Sequence, residues 1–397
     1  MILHNVVLPA PFGPRRPRTS PYPTLSATSS SATETFLVPS AVFARPRNVR
    51  VSPRISIHEL LATIDTFVSR SGSPAFRRSI LTAPPRPCNS RPGLPVTLRR
   101  RAVRLTVALS YERFDETLAA HFDGVGLIRG EYVFRAEGCY PAQESVRKFL
   151  EPYLRAVAAT AAPRRVWYRT MEVDTAEANV LEGVEAVLVE EDRLLGLRGI
   201  RRSRTYPEAF RAELRGVATA RAAGADVGVI IPFVTYAEEL EWAVAEIDRH
   251  ASGTPVATML ETPAALVELD RLLGTGISRV VIGCNDLSSL LLARSRSVRG
   301  PVEPASPLLR AIELARRETS RIGAELAVAG YLSPELISAC RTLGVDECVV
   351  HYSDLPKVFG PQWNDLPDLG VLAATKARTR AAIAEFNARN GFEQRVY

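Results

Sequence analysis

The chain has 397 residues, 46% apolar and 23% charged, which suits a globular protein with one large domain, and no apolar run reaches the roughly twenty residues of a membrane-spanning helix. Its net charge of +7 is concentrated at one end: residues 1–100 carry fourteen Arg, no Lys and three acids (Glu34, Glu59, Asp65), a balance of +11. The remainder is at −4, which argues against nucleic acid as the ligand of the folded part.

Residues 1–100 also hold fifteen of the 29 prolines. The Pro/Arg/Ser-rich stretch 1–102 is therefore predicted to be disordered, because it buries too little apolar surface to offset the entropy of ordering. Its acid-poor composition suits a targeting peptide, but the prolines would break the amphipathic helix of a mitochondrial presequence. The absence of Lys beside fourteen Arg favours an upstream stretch translated from a wrong start.

From about residue 103, short apolar runs alternate with amphipathic helical stretches. VGLIR (125–129) precedes a helix over 141–161, and VWYRTME (166–172) and LGLRGI (195–200) precede a helix over 207–224. VGVIIPFV (227–234) leads to a helix over 237–251, and PVATMLET (255–262) to one over 263–274 with Pro in its first turn. RVVIGCND (279–286) leads to SSLLLARS. A helix over 307–323 precedes ELAVAG (325–330), and a helix over 333–344 precedes ECVVHY (347–352). Eight strand candidates alternating with helices predict an α/β fold, a (β/α)8 TIM barrel over 103–365, followed by a C-terminal helix and tail over 366–397. No G-x-G-x-x-G follows the first strand, which counts against a dinucleotide fold.

The five Cys include no C-x-x-C pair, and the five His form no H-E-x-x-H pattern. The cysteines fit a reducing cytoplasm and give neither a disulfide framework nor a zinc site. In a barrel the C-terminal strand ends face the active site. The predicted ends carry Arg129 and Glu131, Arg169 and Glu172, Arg198, Glu261, and Asn285 with Asp286, while Arg296 lies on the next helical stretch. Several arginines suit a phosphate, which the planar guanidinium grips bidentately, and two carboxylates from adjacent strands suit Mg2+. Taken singly, each residue has a plainer reading. A strand-end Arg is commonly a salt-bridge residue, Glu261 and Asp286 precede helices and suit caps, and Glu131 and Glu172 suit pairing with nearby arginines. Phe233, Met259 and Cys284 read as core.

Six motifs in order resemble the C-terminal barrel of the phosphoenolpyruvate (PEP)-utilising enzymes, the family of PEP synthase, pyruvate phosphate dikinase and Enzyme I of the sugar phosphotransferase system. FDGVGLIRGEYVF (122–134) is similar to "ADGIGLLRTEF", and YRTMEVDTAEANVLEG (168–183) looks closest to the PEP synthase form. LLGLRGIRRS (194–203), IIPFV (230–234), MLETPAAL (259–266) and VIGCNDLSSLLLARSR (281–296) are similar to "P-x-LG-x-RG", "MIPFV", "MIEIPSAA" and "SIGTNDLTQYTLAVDR". The resemblance implies that Arg129, Arg169, Asn285 and Arg296 hold the PEP phosphate. It implies that Arg198 acts near the reacting oxygen and that Glu261 and Asp286 bind Mg2+. Metal and arginines would then stabilise a charge-rich phosphoryl-transfer transition state and the pyruvate enolate.

The sequence departs from the family in two places. Where the family's seventh strand ends in Cys-Gly-Glu, whose Cys moves the proton at C3, this chain has Ala329, Gly330 and Tyr331. A lost general acid costs about a hundred- to ten-thousand-fold in rate, and Tyr331 is left as the side chain to take that role. No histidine stands in the family's Thr-Ser-His phosphorylation context. The resemblance therefore implies a PEP/pyruvate barrel of the PEP synthase kind, served by separate phosphohistidine and nucleotide-binding subunits, with a homodimer through the barrel as in the family; the cysteine usage places it in the cytoplasm. The alternatives are a catalytically impaired PEP/pyruvate binder, or a Mg2+-dependent citrate-lyase-type C–C lyase, which needs no Cys.

Overall fold

The computed structural model describes residues 102–295 and 300–390. The expectations for residues 1–101 and for Arg296 lie outside the described residues. Eight parallel strands follow one another around a closed barrel. They are β1 Arg104–Leu109, β2 Val125–Arg129, β3 Val166–Arg169, β4 Val227–Ile231, β5 Val256–Leu260, β6 Arg279–Gly283, β7 Glu325–Gly330 and β8 Glu347–His351. β1 pairs with β8 from Arg104↔Glu347 to Ala108↔His351, which closes the ring. Strands covered on both faces read as continuous apolar runs, and VGVII of β4 is buried throughout.

The fold class is as expected, but two of its elements correct the reading of the sequence. LGLRGI is not a strand: Arg198 stands at the N-terminus of the helix Gly199–Thr205, in the segment after β3. The run is broken because Gly199 adopts φ +52°, and a Cβ there would stand 2.6 Å from that of Phe233. The eighth strand is instead RLTVAL, β1. Its polar Arg104 and Thr106 hide its strand character, and both are used by a buried ion cluster described below.

The helices surround the barrel. The segment expected as one helix over 141–161 runs as Gln143–Ser145, a π-helical turn Val146–Leu150 and Glu151–Ala161. The 263–274 segment divides at Glu268 into Pro263–Val267 and Leu269–Gly274. The helix Val371–Arg389 is tied to the helix Gly130–Glu137, with Arg135 Nε donating to Thr379 Oγ1 at 3.3 Å. No described helix is long and apolar enough to cross a membrane.

The larger apolar core packs between strands and helices. A second cluster with members from every strand, Ala108, Trp167, Met259, Ala329 and Val349 among them, fills the barrel interior. At the N-terminal end of the strands, Arg279 is 1% exposed and donates to Glu347 at 2.7 Å and to Glu325 at 3.1 Å. Arg104 reaches the same two acids at 3.0 Å each, and Thr106 donates to Glu347 at 2.8 Å.

Candidate active site

Strand alternation decides what reaches the C-terminal mouth. Every second residue faces the interior, so the residue two beyond an interior apolar side chain lies above it on the same face. That rule takes Ala108 to Ser110, Trp167 to Arg169, Met259 to Glu261 and Val349 to His351, each at or just past the end of its strand.

At the mouth, arginines and acids alternate in a buried chain. Arg129 Nη2 lies 3.1 Å from Glu131 Oε1, which also takes Arg169 Nη2 at 2.6 Å. The same Arg169 nitrogen is 2.8 Å from Glu172 Oε2, and Arg198 Nε donates to Glu172 Oε1 at 2.8 Å. Arg169 Nη1 is 3.7 Å from Glu261 Oε1, so one guanidinium serves three carboxylates. Burial opposes the charge on Arg169, but Glu131 and Glu172 outweigh it and raise its pKa. The guanidinium of Arg198 lies 4.6 Å over the Phe233 ring.

Glu261 and Asp286 are 2% and 4% exposed. Burial pushes the Glu261 carboxyl up to about 8, with Glu172 adding repulsion, Arg169 offsetting part of it, and Asp286 repelling further. Carboxylates held together in mutual repulsion fit a hard divalent cation, and oxygen is the donor Mg2+ takes. A Cβ on Gly283 would come 2.5 Å from the Glu261 side chain, so the glycine supplies the room this carboxylate occupies. The Phe233 N–H, at φ +56°, donates to Glu261 Oε2 at 3.0 Å and orients it. Among the described residues no three or more His, Cys, Asp or Glu gather into a complete metal cage. The pair is of the kind that Mg2+ completes with substrate and water oxygens.

Asn285 is exposed at the mouth in the helix Cys284–Leu291, and its Oδ1 accepts the Tyr331 N–H at 3.4 Å. Tyr331 is partly exposed just past β7, with Lys357 Nζ 5.1 Å over its ring. Ala329, 3% exposed, faces the interior beneath it. Cys284 is fully buried, and burial pushes its thiol pKa up, as for a packing residue.

The structure thus brings Arg129, Arg169, Arg198, Glu261, Asn285, Asp286 and Tyr331 to one end of the barrel, and Arg198 arrives from a helix N-terminus instead of a strand. Sequence reasoning passed over Phe233, which orients Glu261 and underlies Arg198, and over Ser110, Glu112 and His351. The two-residue phase from Ala108 and Val349 is the available signal for both: Ser110 is hidden because β1 does not read as a strand, whereas His351 stands at the end of the expected strand ECVVHY and is a residue the reading of strand ends leaves out.

The chain is similar to known proteins over the barrel. The family described as PEP-utilising enzyme, PEP-binding domain, matches residues 96–359. A probable PEP synthase of Pyrococcus abyssi and the PEP synthase of Pyrococcus furiosus are each 32% identical over 266 residues, 62% of this chain and 32% of theirs. A PEP-dependent phosphotransferase system protein of Salmonella typhimurium is 27% identical over 272 residues, 64% of this chain and 35% of its own. The chain therefore spans about a third of the length of these relatives. A solved HpcH/HpaI aldolase from Desulfitobacterium hafniense covers 72% of this chain and 93% of its own at 13% identity and a TM-score of 0.38, too distant to bear on function.

Proposed function

The chain belongs to the PEP-utilising enzymes through its PEP-binding domain, and from that membership we propose that its barrel binds PEP or pyruvate with Mg2+ and exchanges the phosphoryl group with a phosphohistidine on a separate partner. The observation that carries this reading is the buried chain Arg129–Glu131–Arg169–Glu172–Arg198, lying beside Glu261 and Asp286 at the barrel mouth.

Arg129, Arg169 and Asn285 hold the phosphate, and Arg296 is assigned to it by its place in the motif. Glu131 and Glu172 fix the arginines before the ligand arrives, so little reorganisation accompanies phosphoryl transfer. Arg198, clamped by Glu172 over the Phe233 ring, faces the oxygen that alternates between ester and enolate. Glu261 and Asp286 would hold Mg2+, which when bound supplies positive charge to the phosphoryl and enolate oxygens. Tyr331 is the remaining side chain for proton transfer at C3. A cytoplasmic, homodimeric protein working with separate phosphohistidine and nucleotide-binding subunits completes the proposal.

Calorimetric titration of the full chain with PEP, with and without Mg2+, tests the binding half. Exchange of isotope between PEP and pyruvate in the presence of a phosphohistidine domain tests the transfer half. Mg2+-dependent binding and exchange are expected, and the absence of both refutes the reading. A second reading, a binder without turnover, is favoured by Ala329, whose methyl group stands at the strand end where the family has its thiol. Binding without exchange, with exchange appearing in an Ala329→Cys variant, would select it.

A further inference from the structure

On the β8–β1–β2 side of the mouth, Arg129 is backed by side chains that have no part in the function above. His351 ends β8, Ser110 follows β1, and their strands pair at Ala108↔His351. Ser110 Oγ lies 2.8 Å from His351 Nε2 and accepts from Arg129 Nη1 at 3.4 Å. On the far side of the imidazole the Ser353 N–H donates to Nδ1 at 3.1 Å. The neutral ring therefore carries its proton on Nε2 and donates it to Ser110. Glu112 closes the cluster, accepting the Ser110 N–H and standing 4.0 Å from His351 Nε2. Arg129 is thus held at three places: by Ser110, by Glu131 at 3.1 Å, and with its guanidinium 4.4 Å over the Tyr132 ring.

We infer that His351 and Ser110 are positioning residues that aim the Arg129 guanidinium at the phosphate of the ligand. The inference rests on the phosphate role proposed for Arg129. A serine oxygen has two acceptor lone pairs, and Arg129 and His351 fill both. Ser110 is fully buried, so rotating it away would strand donors from water. The relay needs a neutral imidazole, because a second cation here would repel Arg129. Burial first, then Arg129, Lys376 and Lys357, hold the His351 pKa well below its ordinary value.

The test is titration of the full chain, with Mg2+ present, by two probes: PEP, and oxalate, which has carboxylates and no phosphate. Ser110→Ala and His351→Leu are each expected to weaken PEP binding about tenfold and to leave oxalate binding unchanged. His351→Gln, which returns an N–H near the Nε2 position, is expected to restore most of the loss. In an Arg129→Ala background, Ser110→Ala is expected to add nothing, since the group it positions is gone. Equal losses for both probes, no loss for PEP, no rescue by Gln, or additive double variants overturn the inference. A wild-type chain that fails to bind PEP overturns the functional reading and this role with it. A wild-type chain that binds PEP as tightly as Ser110→Ala overturns the positioning role alone.

Discussion

Arg169 is where the site is most concentrated. Its guanidinium lies 2.6 Å from Glu131, 2.8 Å from Glu172 and 3.7 Å from Glu261, and all four side chains are buried. A lysine ammonium is a point charge and cannot span three carboxylates in a planar fork. Arg169→Lys is therefore expected to weaken PEP binding by at least about tenfold in a calorimetric titration. Wild-type affinity in that variant would remove Arg169 from the site. The residue types were legible from the sequence, because arginines and acids at strand ends advertise an anion and a metal. Their pairing was not, because Glu131 and Glu172 matter only once the strands bring them between the arginines. Phe233 read as core, and it is buried, yet its N–H and ring both act on the site.

At the scale of elements, the turns after the strands do the placing. Gly283 at the end of β6 leaves space for Glu261 of the neighbouring strand end, and a Cβ would intrude to 2.5 Å. Gly283→Ala is expected to lower Mg2+-dependent PEP affinity while the far-ultraviolet circular dichroism stays unchanged. An unaltered affinity would show that Glu261 has room to give. The helix Pro334–Leu343 shows the same local logic without function. Ser333 caps it by accepting the Leu336 N–H at 3.1 Å, and Gly344 ends it at φ +73°. Ser333→Ala is expected to cost about 1 kcal/mol in urea denaturation. Such caps and stops are written locally, which is why most helices stand close to their expected bounds. LGLRGI misled because a short apolar run carries no record of its backbone angles, and Gly199 turned it into a helix start.

For the described residues as a whole, the closed barrel has the candidate site at one end and an ion cluster at the other. Burial opposes the charge of Glu347, but Arg279 and Arg104 outweigh it and hold the carboxyl at about 2, against 4.5 for an ordinary glutamate. A carboxylate lowered in the folded state stabilises fully above pH 4.5, and that contribution, on the order of 3 kcal/mol, is lost as pH falls towards about 2. Glu347→Gln is expected to destabilise the protein at pH 7 by about 3–5 kcal/mol, because it leaves Arg279 buried without its main partner. Its melting temperature should also fall less steeply than that of wild type between pH 5 and 3, as about half of this group's contribution is lost across that window. Parallel acid limbs would show that the cluster does not govern acid stability. The sequence by itself determined the barrel class, most of the helices and the kinds of charged residue at the strand ends, because periodicity, caps and strand-end charges are local properties of the chain. Only the tertiary structure decided that β1 is a strand, that Arg198 enters from a helix, and that Ser110 meets His351. The first and third depend on contacts between β1 and β8, at opposite ends of the barrel sequence, which exist only once the ring is closed, and the second on the backbone of Gly199 where it meets Phe233.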